Sequence, residues 1–127
     1  MHLESLREYC LSKKGVEETL PFGPDTLVYK VMGKAFLLTG FEGDLSFNVK
    51  CDPEKAIELR EEFPCVQPGY HMNKKHWNTI TADGSVNDKH WKEWIDHSYD
   101  LVVSGLTKKE KEVWKSLQFT DKTPPFI

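Results

Sequence analysis

A chain of 127 residues with 39% hydrophobic and 29% charged content has the size and composition of one soluble globular domain with a single core. Its net charge of −3 and pI near 5.9 argue against a dedicated sequence-independent nucleic-acid binder, which draws most of its affinity from cations on phosphates. No run of about 18 apolar residues occurs, which excludes a membrane-spanning helix.

The first residues, Met1 to Leu6, lack the basic and apolar regions of a secretion signal. Cys10, Cys51 and Cys65 are odd in number and form no CxxC pair. That pattern favours reduced thiols in the cytoplasm over a disulfide framework or a zinc knuckle.

In chain order, Leu3, Leu6 and Cys10 fall on one face of a helix predicted over residues 3–13, which Gly15 stops. Pro21, Gly23 and Pro24 break the chain into a loop around Phe22. β-formers over 26–32 and 35–39 read as a hairpin joined by a Gly33-Lys34 turn of type II′. Leu45, Phe47 and Val49 alternate with polar residues, the period of a half-buried strand. Asp52-Pro53-Glu54 starts a second helix that Pro64 ends, with Ala56, Leu59 and Phe63 as its buried stripe. An irregular loop follows, then a strand at 78–82. A long helix from Asn87 or Asp88 to about Gly105 carries Trp91, Trp94, Ile95, Ser98 and Val102 on one face. Thr107-Lys108-Lys109-Glu110 is a capping box for a last helix. Residues 1–118 read as one domain and 119–127 as a tail. Segregated strands and helices predict an α+β fold with helices packed on one face of an antiparallel sheet.

Charge is unevenly distributed. Residues 52–64 hold Asp52, Glu54, Glu58, Glu61 and Glu62 against Lys55 and Arg60, and read as a solvated helix face. The loop Pro68-Gly69-Tyr70-His71-Met72-Asn73-Lys74-Lys75-His76-Trp77-Asn78 instead concentrates rings, cations and amides in a segment too short and irregular to be core.

That loop, Glu8-Tyr9-Cys10-Leu11, Leu20-Pro21-Phe22-Gly23, Val31-Met32-Gly33-Lys34-Ala35-Phe36, Asn48-Val49-Lys50-Cys51-Asp52-Pro53 and Ser98-Tyr99 occur in an order that resembles the MmcQ/YjbR-like proteins over residues 3–106. The resemblance implies a frataxin-like (CyaY-like) α+β fold in a double-wing arrangement, and DNA binding. Frataxins hold iron on an acidic ridge of their first helix. Here that helix carries only Glu4 and Glu8, with Arg7, Lys13 and Lys14 interspersed, so iron binding does not transfer.

Three functional classes can be weighed on the residues. For DNA, Lys74, Lys75 and His76 would contact phosphates, with Lys34 and Lys50 extending the patch and Trp77 or Tyr70 offering a ring to stack. For a small ligand or a protein partner, Tyr70, His71, Asn73 and Trp77 would line a pocket against Phe22 and Tyr99. For catalysis, Ser98-Tyr99 lacks a nucleophile elbow or oxyanion loop, so no enzyme is expected. His71 and His76 are five apart with no carboxylate or cysteine between them, which is poor for a metal pair, and Gly33 and Gly40 do not form a phosphate cradle. No cofactor is therefore expected. Against the functional readings, Trp77 is expected to be buried as the anchor of the loop. Ser98 is expected to be a small residue that permits close packing, and Tyr99 to offer its hydroxyl to the loop.

Overall fold

The computed structural model describes residues 2–41, 43–69 and 72–117. Four helices, α1 (Leu3–Leu11), α2 (Pro53–Glu62), α3 (Asp88–Ser104) and α4 (Lys108–Ser116), accompany six strands: β1 (Val16–Thr19), β2 (Thr26–Val31), β3 (Lys34–Gly40), β4 (Ser46–Lys50), β5 (Val66–Pro68) and β6 (Trp77–Thr81). The strands form one sheet in the order β1-β2-β3-β4-β6-β5, antiparallel throughout. The α+β expectation holds. The sequence reading gave four strands; β1 and β5 are additional, and they are the two edges of the sheet.

The helices start where their caps are. Asp52 accepts from the Lys55 amide ahead of Pro53, Asn87 accepts from His90, and Thr107 and Glu110 close a capping box. The β2–β3 turn differs from expectation. Its central residues are Met32 (φ 51°) and Gly33 (φ 77°), so it is type I′, with a non-glycine residue held in the left-handed region.

Register assigns the two faces of the sheet. Leu27, Tyr29, Val31, Leu37, Phe47, Val49, Val66 and Ile80 share one face and enter the core with Leu6 and Cys10 of α1 and Trp91, Trp94, Ile95 and Val102 of α3. A register shift between Tyr29 and Lys30 inserts Phe36 as an extra residue on β3. A bulge of this kind lets Phe36 and Leu37 both turn inward, and the Phe36 ring meets Tyr99 edge-on at 5.4 Å. All four helices lie on this face: Arg60 and Ala56 of α2 bond to Asn78, and Glu110 and Trp114 of α4 reach Lys34 and Tyr99.

Ser98 has a sharper role than close packing. Phe36 and Lys50 would form the next rung of the β3–β4 ladder. The Ser98 hydroxyl instead stands between them, donating to the Phe36 carbonyl at 2.5 Å and accepting from the Lys50 amide at 2.8 Å. Ser98 is fully buried. Ser98→Ala should therefore destabilise by roughly 2–3 kcal/mol, because two backbone groups lose their partner where water is excluded. A shift in the urea midpoint at constant slope measures it.

Candidate functional site

Among the described residues no helix lies on the opposite face of the sheet. Glu17 and Thr19 of β1, Val28 and Lys30 of β2, Ala35 and Leu38 of β3, Ser46, Asn48 and Lys50 of β4, Trp77, Thr79 and Thr81 of β6 and Gln67 of β5 share it by register. Even so, Val28 is 1% exposed. The central loop reaches across this face: Met72 lines a hollow with Phe22, Val28, Lys30, Ala35 and Leu38, and Lys74 lines another with Ser46, Asn48, Gln67, Pro68 and Thr79.

The loop is held by backbone bonds and by one arginine. Gly69 donates to the Trp77 carbonyl at 2.8 Å, and a Cβ on Gly69 would lie 2.8 Å from the Trp77 Cβ. Only glycine allows so close an approach. Asn73 accepts from the His76 and Trp77 amides through its carbonyl and from the Lys75 amide through its side chain. Cys51 donates to the His76 carbonyl at 2.7 Å, extending the β4–β6 ladder into the loop. From α2, Arg60 donates through Nε to Asn78 Oδ1 at 2.7 Å, and through its terminal nitrogen to the carbonyls of Lys74 and Trp77. Asn78 is 1% exposed, and its Nδ2 donates to the Ala56 carbonyl.

The expectation that Trp77 is the buried anchor is corrected. Trp77 is half-buried on the open face and lies outside the hydrophobic core, because its register partner is Lys50 and the helices lie on the other side. Arg60 and Asn78 take the anchoring role.

The candidate residues separate. Lys74, Lys75, His76, Asn73 and Trp77 stay together in the loop, and Lys50 adjoins them on the open face. Lys34 does not, because it pairs with Val31 on the helix face and its Nζ meets Glu110 at 3.4 Å. Tyr99 does not either. Its hydroxyl donates to the Lys14 carbonyl and accepts from Trp114 Nε1 at 2.9 Å, so it ties α3 to α4 beneath the helix layer. Phe22 lines the hollow on the open face while Tyr99 lies on the helix side of the sheet, so the two stand on opposite sides of it. Tyr70, His71 and the tail 119–127 lie outside the described residues. Lys74 Nζ donates to the Gly69 carbonyl at 3.0 Å.

Titratable chemistry is sparse here. Burial pushes Cys10 up to about 12 and Cys51 up to about 11, so neither thiol is a ready nucleophile. All three cysteines are buried and free. Among the described residues no three of His, Cys, Asp or Glu gather into a metal-holding group, and no helix is long and apolar enough to cross a membrane.

Sequence reasoning missed His97. Its Nε2 accepts from the Asp52 amide at 3.2 Å, docking the start of α2 onto α3. Burial lowers its pKa from the ordinary 6.5, and nearby Lys55 lowers it further. The folded state therefore takes up a proton less readily than the unfolded chain. Stability from this site is complete above about pH 6.5 and is lost as pH falls below it. The urea midpoint should drop between pH 7.5 and 5.5, and His97→Gln, which keeps an acceptor, should flatten that drop. The signal in the sequence was its place, one turn from Trp94 and beside Ser98 on the inner side of α3.

The YjbR family model matches residues 11–101. The Escherichia coli O157:H7 protein YbdF is 36% identical over 110 residues, 86% of this chain and 90% of its own length. The E. coli K12 protein YjbR is 30% identical, covering 89% of this chain and 97% of its own length. Among solved structures, that of Deinococcus radiodurans DR2400 is 40% identical with a TM-score of 0.82, covering 89% of this chain and 87% of that one. A Pseudomonas syringae protein is 27% identical with a TM-score of 0.70, covering 80% and 98%. With a matching family model over most of its length and relatives aligned nearly end to end, this chain belongs to the YjbR family.

Proposed function

We propose that the protein is a ligand-binding module without catalytic groups of its own, and that its site is the open face of the sheet under the central loop. One observation carries this reading: the hollows of ≈570 Å³ and ≈520 Å³ on that face fall within the roughly 300–1,000 Å³ usual for small-molecule sites. Their linings combine aliphatic side chains with a few placed polar groups, as such sites do. The three buried free thiols support a reducing compartment, the cytoplasm. Helices on one face of a six-stranded antiparallel sheet fit the frataxin-like double-wing description that the resemblance implies.

DNA binding is the second reading, favoured by Lys50, Lys74 and Lys75 standing beside Trp77. It is weaker because Lys34 is spent on Glu110 and the chain is acidic overall. Thermal stabilisation by members of a metabolite panel, without DNA retention at about 50 mM salt, supports the first reading. Retention of DNA supports the second, and Lys74→Gln with Lys75→Gln should then make the salt slope shallower by about two units. Neither stabilisation nor retention sinks both.

A further inference from the structure

We infer that the open face takes a small amphipathic anion, with its carboxylate at Lys74 and Asn48 and its apolar body along Ala35, Leu38 and Met72. The inference rests on the ligand-binding reading and specifies the chemistry of that site. The two large hollows are not separate. A third hollow of ≈220 Å³ shares Leu38 and Met72 with the apolar one and Ser46 and Asn48 with the polar one, so the three form one trough with an apolar end and a polar end.

The polar end is set for an anion. Thr79 donates its hydroxyl to Asn48 Oδ1 at 2.5 Å, which fixes the amide and occupies its acceptor. The donors on Asn48 Nδ2 have no partner among the described residues. Lys74 spends one of its N–H groups on the Gly69 carbonyl, which positions the ammonium at the rim and leaves its other two donors. Charge-assisted donors converging with an amide are the recognition elements of a carboxylate. Among the described residues no acidic side chain lines the polar hollow. At the apolar end, Lys30 lies opposite Glu17 of β1 in register, so a carboxylate stands on the strand beside that cation. Phe22, 74% exposed at the mouth of that hollow, supplies an apolar wall that solvent otherwise meets.

Sodium octanoate is a direct probe, with 1-octanol as its neutral and octylamine as its cationic counterpart. In an amide NMR titration of the full chain, octanoate should shift Leu38, Ser46, Asn48 and Thr79 saturably. It should bind at least about tenfold more tightly than 1-octanol, and octylamine more weakly than either. Lys74→Gln should bring octanoate down to the affinity of 1-octanol, while Lys74→Arg keeps the preference. The ligand-free Met72 and Trp77 amides report whether the loop holds its place in each variant. The inference is overturned if octanoate produces no saturable shifts on this face, if it binds no better than 1-octanol, or if Lys74→Gln leaves its affinity unchanged with the loop in place. Binding of neutral or cationic metabolites to the same residues would overturn this inference and leave the ligand-binding reading standing.

Discussion

Replacing Arg60 with Ala should lower stability by about 3–4 kcal/mol and release the central loop. The guanidinium makes hydrogen bonds to Asn78 Oδ1, the Lys74 carbonyl and the Trp77 carbonyl, and bonds from a charged donor are each worth roughly 1.5–3 kcal/mol. The losses are not additive, because water can reach the Lys74 carbonyl. It cannot readily reach Asn78, which is 1% exposed and keeps only its Nδ2 bond to Ala56. Arg60→Lys should recover less than half of the loss, since a point charge cannot span three acceptors set out for a planar fork. Urea denaturation gives the stability, and hydrogen exchange at His76 and Trp77 gives the loop. Rapid exchange there with an otherwise protected sheet is the expected pattern. Unchanged protection would assign the anchoring to the backbone bonds of Gly69 and Asn73 alone.

The second large effect lies on the other side of the sheet. Glu18, on edge strand β1, points to the helix face and accepts Arg7 in a two-pronged contact at 2.8 and 3.0 Å, and the Tyr29 hydroxyl at 2.6 Å. Tyr29 is fully buried. Glu18→Ala should cost roughly 2–3 kcal/mol, mostly from the orphaned Tyr29 hydroxyl. Tyr29→Phe made in that background should restore part of it, because the unpaired group is then gone. The Arg7 guanidinium holds the Glu18 carboxyl below the ordinary carboxylate range, with Tyr29 adding to the effect. Its contribution is therefore complete above about pH 4.5 and disappears as pH falls through the lowered folded-state value. Acid unfolding should begin at higher pH in Glu18→Gln.

These two networks explain what the sequence made legible. The four helices announced themselves through caps at Asp52, Asn87 and Thr107 and through apolar stripes, and β2, β3, β4 and β6 through alternation or runs of β-formers. Strand β1 was hidden because Val16-Glu17-Glu18-Thr19 places a carboxylate inward, paired with Arg7, eleven positions back on a helix face that periodicity leaves charged and solvated. Strand β5 was hidden because three residues ending in Pro68 carry no period, and proline in a strand fits only an edge. Gly33 signalled the hairpin turn, while its type depended on Met32 accepting a positive φ, which composition does not reveal.

The site was legible in part. The concentration of rings, cations and amides in residues 68–78 pointed to the loop that borders the open face, and Lys50 and Phe22 share that face. Lys34 and Tyr99 were drawn into the site because linear motifs do not carry the face of the sheet. A one-residue change of parity separates Lys34 from Ala35, and Tyr99 follows the inner surface of α3. The polar strip Ser46, Asn48, Gln67 and Thr79 was missed. Its outward alternation looks like ordinary solvation until register brings three strands side by side.

Amide chemical-shift mapping with the small molecules that raise the melting temperature tests the central claim most directly. Perturbations that cluster on Val28, Leu38, Ser46, Asn48, Gln67 and Thr79, with Met72 and Lys74 of the loop, are the predicted result. Perturbations confined to the helix face, around Tyr9, Trp91 and Lys92 or around Tyr99 and Trp114, would contradict it.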